Sequence, residues 1–346
     1  MPVAAVVSFR LGGTDGVSIE SEKWHAALDE LGFAVATVAG EGPVDRLVPG
    51  LAMGADAPPE RIEVERVLAD ADVVVIENLC SLPLNPAAAA VVARVCAGRP
   101  AILHHHDLAW QRPLLGSAPP PDDPAWRHVT INELSRRELA GHGIEATTIY
   151  NCFDTDAAPG ERDATRSALG VRADERLVLQ PTRALPRKNV GGGLALAAAL
   201  GATYWLLGPA EDGFGPELDR LLSTAQCRVI HRPPPAEPAP RVADAYAACD
   251  LVVLPSTWEG FGNPALESAV YRRPLAIGPY PVARELAAFG FRWFPIEDPG
   301  SLARFLGSPD PTVLGHNWGV ADAHFSIRQL PARLGEVLST LPPGPW

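Results

Sequence analysis

The chain has 346 residues, of which 47% are hydrophobic and 20% charged, and it carries a net charge of −12. That length exceeds what one hydrophobic core usually supports, so two globular domains are expected. The acidic balance argues against nucleic acid or an anionic membrane surface as the main partner, because both select for basic patches.

The opening MPVAAVVSFRLGG lacks a basic leader and ends in glycines, so it predicts a buried first strand and no signal peptide. In the first half, strands are expected at Val3–Phe9, Ala34–Val38, Val73–Ile76, Ala101–His105 and Val129–Ile131. Helices are expected between them at Ser21–Leu31, Pro86–Ala97 and Glu133–His142. The stretch Asn151–Asp174, polar and turn-rich with Pro159-Gly160, marks a break. The scheme then repeats. Strands are expected at Leu177–Gln180, Thr203–Leu207, Arg228–His231, Leu251–Leu254 and Leu275–Ile277. The matching helices are Gly193–Leu200, Pro216–Ala225, Val242–Ala248 and Pro264–Tyr271, with Asn263 as N-cap and Pro274 as the stop. Alternating β and α implies parallel sheets covered by helices on both faces, in two series. The Pro-rich stretches Ala118–Pro124 and Pro233–Pro240 read as stiff exposed loops without chemistry. No apolar run approaches the ~20 residues that span a bilayer, so no stable membrane insertion is expected. Five scattered cysteines without C-x-x-C spacing argue against a disulfide framework or a zinc site and fit a reducing cytoplasm.

Ligands of open parallel sheets bind at the carboxyl ends of the strands, so residues just after strands carry the most information. Four groups stand there. LGGTDGVS, Leu11–Ser18, offers glycines that let a ligand approach backbone and a helix N-terminus behind them. It lacks the G-x-G-x-x-G spacing of a dinucleotide fingerprint, and a plain βα turn fits it equally well. PTRALPRKNV, Pro181–Val190, gathers Arg183, Arg187 and Lys188 on an acidic protein in which lysine occurs only at 23 and 188. A solvated charge run is the bland alternative; a strand before it and Gly191–Gly193 after it favour a pyrophosphate site. AILHHHD, Ala101–Asp107, suggests a metal, but alternation on a strand turns His105 away from His104 and His106. Only Asp107 lies near as a carboxylate, so a ligand hydrogen bond from His106 is preferred to metal binding, with a structural role for all three histidines as the alternative. Finally, WEGFGNPALE places Glu259 in the loop after a strand and Glu267 inside the next helix. A capped helix explains the second glutamate and leaves the first unexplained.

Together these features resemble the retaining nucleotide-sugar glycosyltransferases of family 4. The matching elements are the E-x7-E pair Glu259 and Glu267, the glycines Gly12-Gly13, Arg183 and Lys188, the strand-terminal His106, and N-C-F-D at Asn151–Asp154 in place of N-G-V-D. The resemblance covers nearly the whole chain and is strongest over 177–278. It implies the GT-B fold: two Rossmann-like doubly wound domains facing a central cleft. Residues 1–155, completed by a C-terminal helix near 316–346, would bind the acceptor, and 156–315 the nucleotide sugar. Arg183 and Lys188 would hold the diphosphate, and Glu267 the ribose hydroxyls. Glu259, with Gly262, Asn263 and Pro264, would meet the transferred sugar or its phosphate. Gly260, Phe261, Gly208 and His231 join the donor-binding set, while His106 and Gly13 approach from the first domain. No cofactor or essential metal is implied, since the cation cluster is present and no D-x-D motif follows a strand. The expected reaction is retaining transfer of a hexosyl unit to a hydroxyl of a soluble saccharide or small-molecule acceptor. GDP-mannose is the preferred donor, because 78–90 and 103–113 look similar to short actinobacterial members, among them α-mannosyltransferases that extend methylmannose polysaccharides. The alternatives are a UDP-glucose or UDP-GlcNAc transferase of the same family, an epimerase or hydrolase on the same fold, and a silent sugar-nucleotide binding protein. An NAD enzyme would need the absent fingerprint.

Overall fold

The computed structural model describes residues 1–13, 15–112, 115–231 and 241–344; the Pro233–Pro240 stretch lies outside them. The chain divides into two compact units, Met1–Cys152 with the segment from Ile327 onward, and Phe153–Ser326.

In the first unit the strands are β1 Val3–Arg10, β2 Ala34–Glu41, β3 Arg46–Leu47, β4 Val73–Glu77, β5 Ala101–His105, β6 Trp126–Thr130 and β7 Ala146–Thr148. They form one parallel sheet in the order β3-β2-β1-β4-β5-β6-β7. β4, VVVIE, is buried throughout, as a strand with helices on both faces must be. β1 shows how the two faces divide. Ala5, Val7 and Phe9 pack with Val64 of helix Arg61–Val67 and Val92 of helix Pro86–Cys96. Ala4 and Val6 point the other way, onto Trp24 and Leu28 of helix Gly16–Glu30 and Leu330 and Leu334 of helix Leu330–Ser339. Helix starts are fixed by side chains: Asn85 Oδ1 accepts from Ala88 N, and Asn132 Oδ1 from Ser135 N at the head of Glu133–Gly141.

The second unit contains β8 Leu177–Gln180, β9 Thr203–Leu206, β10 Val229–His231, β11 Leu251–Leu254, β12 Leu275–Ile277 and β13 Phe294–Pro295. They too are parallel, in the order β10-β9-β8-β11-β12-β13, the doubly wound arrangement in which the strand order reverses between β8 and β11. Around this sheet lie helices Arg162–Leu169, Val190–Ala199, Gly215–Ser223, Val242–Ala248, Asn263–Val270, Pro281–Ala287, Pro299–Gly307 and Pro311–Phe325.

Several expectations change, among them helix Gly16–Glu30, which starts before the expected Ser21, and β6, which starts at Trp126 instead of Val129. The stretch 151–174 is not wholly a linker, since Arg162–Leu169 is helical. The C-terminal segment is two helices, Pro311–Phe325 and Leu330–Ser339, with a 3-10 turn at Ile327–Gln329 between them. The first of these belongs to the second unit, so the chain returns to the first unit only at Ile327. The two crossing points are tied together: Phe153 N donates to Phe325 O at 2.7 Å.

Candidate active site

The reversal between β8 and β11 brings two loops side by side, Pro181–Asn189 after β8 and Pro255–Gly262 after β11. Pro186–Lys188 forms a 3-10 turn, closed by Asn189 in the left-handed region at φ 49°. That turn delivers Lys188 into the interior, where Nζ lies 2.6 and 2.7 Å from the two oxygens of Glu259. Arg187 Nη1 donates to Glu259 Oε2 at 3.0 Å and to Trp258 O at 3.1 Å, and Ser256 Oγ donates to Glu259 Oε1 at 2.6 Å. Burial alone would raise the Glu259 carboxyl, but Lys188 and Arg187, with Ser256, hold it below the usual carboxylate range. Burial draws the Lys188 ammonium below its ordinary value, and Glu259 opposes that. The loop glutamate left unexplained by helix capping is therefore the anion of a trio with one net positive charge, in which Lys188 and Glu259 are buried and Arg187 is partly exposed.

Arg183 does not join the trio. Its Nη1 pairs with Glu211 at 2.5 Å, and both side chains are about a third exposed. Backbone bonds align the two loops that carry them: Gly208 N to Thr182 O, Ala184 N to Pro209 O and Glu211 N to Ala184 O. Gly208 is required here, because a Cβ would stand 2.7 Å from Arg183 Cα. His231 Nε2 reaches Gly208 O at 3.1 Å, so it supports the loop.

Asn263 is the first helical residue, and the cap position falls to Gly262, at φ 97° and ψ 54°. A Cβ on Gly262 would lie 2.1 Å from the Tyr280 hydroxyl, so close packing as well as φ demands glycine. Pro264 occupies the first turn as expected. Phe261 is buried in an aromatic group with Phe153 and Phe325, at centroid distances of 6.3 Å each, so its side chain serves the core. Gly260 lies in the same loop. Glu267 Oε2 accepts from the Tyr246 hydroxyl at 2.5 Å, a contact with no sequence signal.

In the first unit, Gly12 has φ 73° and a Cβ there would meet Pro43 at 2.6 Å; Gly13 sits beside Asp15. Asp15 Oδ1 caps the following helix by accepting from Val17 N and Ser18 N, both at 3.2 Å. His104 and His106 share one face and His105 takes the other, as alternation requires. His104 Nδ1 and His106 Nε2 both contact Glu77 Oε2, at 2.9 and 2.7 Å. His105 Nδ1 meets Ser81 Oγ at 2.6 Å and its Nε2 meets His128 Nδ1 at 2.9 Å. Asp107, the carboxylate named from sequence, bonds Arg112 instead. The carboxylate that completes the histidine pair is Glu77, whose only signal was an acid closing the apolar strand VVVIE. Glu77, His104 and His106 bring ligand atoms within 4.8 Å of one another, a spacing a metal ion could use, and here they are joined by hydrogen bonds. Burial would raise Glu77, yet His104 and His106 bring it down to about 2. Burial lowers His104; His106 is raised, because the Glu77 contact outweighs its burial. His106 is therefore engaged through Nε2, not fully open to a ligand. Among the described residues, no helix is long and apolar enough to cross a membrane.

No family model matches the chain. Its sequence is 26% identical over 371 residues to mannosylglucosylglycerate synthase of Petrotoga mobilis, spanning 83% of this chain and 84% of that protein. A second mannosylglucosylglycerate synthase, from Thermotoga maritima, is 23% identical over 94% of this chain and 97% of its own. Among solved structures, Anabaena HepE in complex with UDP and glucose superposes with a TM-score of 0.73 at 17% identity, covering 99% of this chain and 100% of that one. The sucrose-phosphate synthase of Thermosynechococcus elongatus gives 0.73 at 14% identity, covering 98% of each chain. The chain has the fold of the GT-B glycosyltransferases, two Rossmann-like units each built on a parallel sheet.

Proposed function

We propose that this protein is a retaining glycosyltransferase that moves a mannosyl unit from GDP-mannose to a hydroxyl of a soluble saccharide or small glycoside. Sequence likeness to glycosyltransferases along most of both chains supports nucleotide-sugar transfer. The observation that carries the reading is the Lys188–Glu259–Arg187 trio, with its lysine and glutamate buried, at the carboxyl ends of β8 and β11. Its surplus positive charge, supplied by the Pro186–Lys188 turn, is held against the loop that leads into helix Asn263–Val270, where charge and the helix dipole favour a diphosphate. In this reading Arg183 exchanges Glu211 for a phosphate oxygen, Lys188 faces the same group, and Glu267 takes the ribose. The Gly262–Pro264 backbone meets the sugar phosphate. The first unit, with Gly12, Gly13 and His106, carries the acceptor side.

In the transfer, the bond from the anomeric carbon to the phosphate oxygen breaks while the acceptor oxygen bonds to the same face. The acceptor proton passes to the departing phosphate oxygen, which leaves no task for a separate base. Charge accumulates on the diphosphate, and fixed cations and amides stabilise it without a metal. The mannosyl preference is supported by the two relatives named above, and the acidic surface suits a soluble acceptor.

A thermal-shift screen of GDP-, UDP- and ADP-sugars tests this, followed by mass spectrometry with glucosylglycerate and methylated mannose oligosaccharides as acceptors. Stabilisation by GDP-mannose and a product heavier by one hexose are expected. Stabilisation by UDP-glucose alone would move the donor assignment, and no shift with any sugar nucleotide would end the reading.

A further inference from the structure

We propose that Tyr246 is the positioning residue that aims the Glu267 carboxylate at the donor ribose and so sets the preference for ribonucleotides; this rests on the role given to Glu267 above. The Tyr246 hydroxyl donates to Glu267 Oε2 at 2.5 Å, the length of a hydrogen bond to an ionised carboxylate. The phenol is fully buried, so water does not compete for it. Burial, with Glu267 beside it, pushes the phenol well above its ordinary range, so it stays a donor throughout the physiological span.

The platform under Tyr246 is unusually well anchored for a short helix. Three guanidiniums hold the last carbonyls of Val242–Ala248: Arg162 Nη1 bonds Ala247 O and Ala248 O, Arg166 Nη1 bonds Ala248 O, and Arg273 Nη2 bonds Ala247 O. Gly160 packs so closely that a Cβ would stand 2.1 Å from Ala243 O. The Tyr246 ring stacks on Tyr271 at 5.0 Å between centroids, 22° from parallel. Tyr271 lies one helical turn beyond Glu267, and its N donates to Glu267 O at 2.9 Å. The phenol is thus fixed from behind and from the side.

A glutamate on a helix has three freely rotating bonds, and a carboxylate offers about four lone-pair positions. An anchored donor removes much of the rotamer freedom, and a carboxylate so held can still accept from vicinal hydroxyls. A site built to bond a hydroxyl discriminates strongly against an analogue lacking it, and pre-organisation sets how strongly.

The test compares the affinities of GDP and 2′,3′-dideoxy-GDP by calorimetry, in the wild type, Tyr246→Phe, Tyr271→Leu and Glu267→Gln. The wild type is expected to prefer the ribonucleotide by about tenfold or more, and Glu267→Gln to abolish that preference. Tyr246→Phe should cut it at least threefold and raise the donor KM while leaving kcat within twofold. Tyr271→Leu, at a half-buried position, should give a smaller loss in the same direction, and it carries the test should Tyr246→Phe not fold. A preference present in the wild type, lost in Glu267→Gln and intact in both tyrosine variants overturns the role of Tyr246 alone. No preference in the wild type overturns the ribose role of Glu267 and the proposal with it.

Discussion

Lys188 Nζ donates to both oxygens of the Glu259 carboxylate, at 2.6 and 2.7 Å, and both side chains are buried. Removing one partner leaves a charge in the interior. Lys188→Ala is therefore expected to cost about 3–5 kcal/mol in urea denaturation. The double variant Lys188→Met/Glu259→Met should recover most of that stability and none of the turnover. Recovery of both would reduce the trio to a folding device.

Arg183 and Glu211 behave differently, because each is about a third exposed. Arg183→Ala should change stability by no more than about 1 kcal/mol, yet lower kcat by about 10²-fold if the guanidinium meets the leaving diphosphate. Glu211→Gln frees the same guanidinium and should tighten GDP binding several-fold in calorimetry. An Arg183→Ala enzyme with unaltered steady-state turnover removes that residue from the chemistry.

Gly262 carries two constraints that can be separated. Gly262→Ala should destabilise by about 2–4 kcal/mol, from a Cβ pressed onto the Tyr280 hydroxyl and from φ 97°. Adding Tyr280→Phe removes the oxygen and should return the steric part, leaving about 1–2 kcal/mol of backbone strain. Full rescue would show that φ costs nothing here.

The Glu77 carboxyl is held at about 2 in the folded unit, against 4.5 ordinarily. A depressed acid stabilises the fold fully above its unfolded value and loses that contribution as the pH falls toward the folded one. Stability should thus decline between pH 4.5 and about 2, and Glu77→Gln should flatten that limb. His104, lowered mainly by burial, adds an earlier decline, since the unfolded chain takes up its proton first as the pH falls, and His106, raised by the Glu77 contact, opposes that decline. Denaturation midpoints collected from pH 7 downward in both proteins would show the two limbs; identical profiles would contradict the pairing.

What the sequence disclosed follows from burial. β1, β4, β8 and β11 are covered on both faces, so each is a nearly unbroken apolar run and each was expected close to its observed position. β3, β7 and β13 have two or three residues and no pattern to read. Helix Arg162–Leu169 was hidden in a supposed linker because the residue it buries is a cation: Arg166 bonds Ala248 O, Asp250 Oδ2, Arg172 O and Glu175 O. Such an inward face has no apolar periodicity. In the site, position after a strand pointed to Lys188 and Glu259. Which arginine joins them was not legible, because the Pro186–Lys188 turn and the left-handed Asn189 decide it in three dimensions. Tyr246 and Glu77 lie on an ordinary helix and an ordinary strand, and only tertiary packing reveals their partners.

The return of the chain at Ile327 has a consequence for biosynthesis. Leu330, Leu334, Val337 and Leu338 complete a core shared with Val6, Trp24 and Leu28, residues synthesised about 300 positions earlier. The amino-terminal sheet must therefore wait, with one face only partly covered by helix Gly16–Glu30, while the whole of Phe153–Ser326 is translated. That later unit is continuous and can close on itself at once. Order of synthesis and order of completion are reversed.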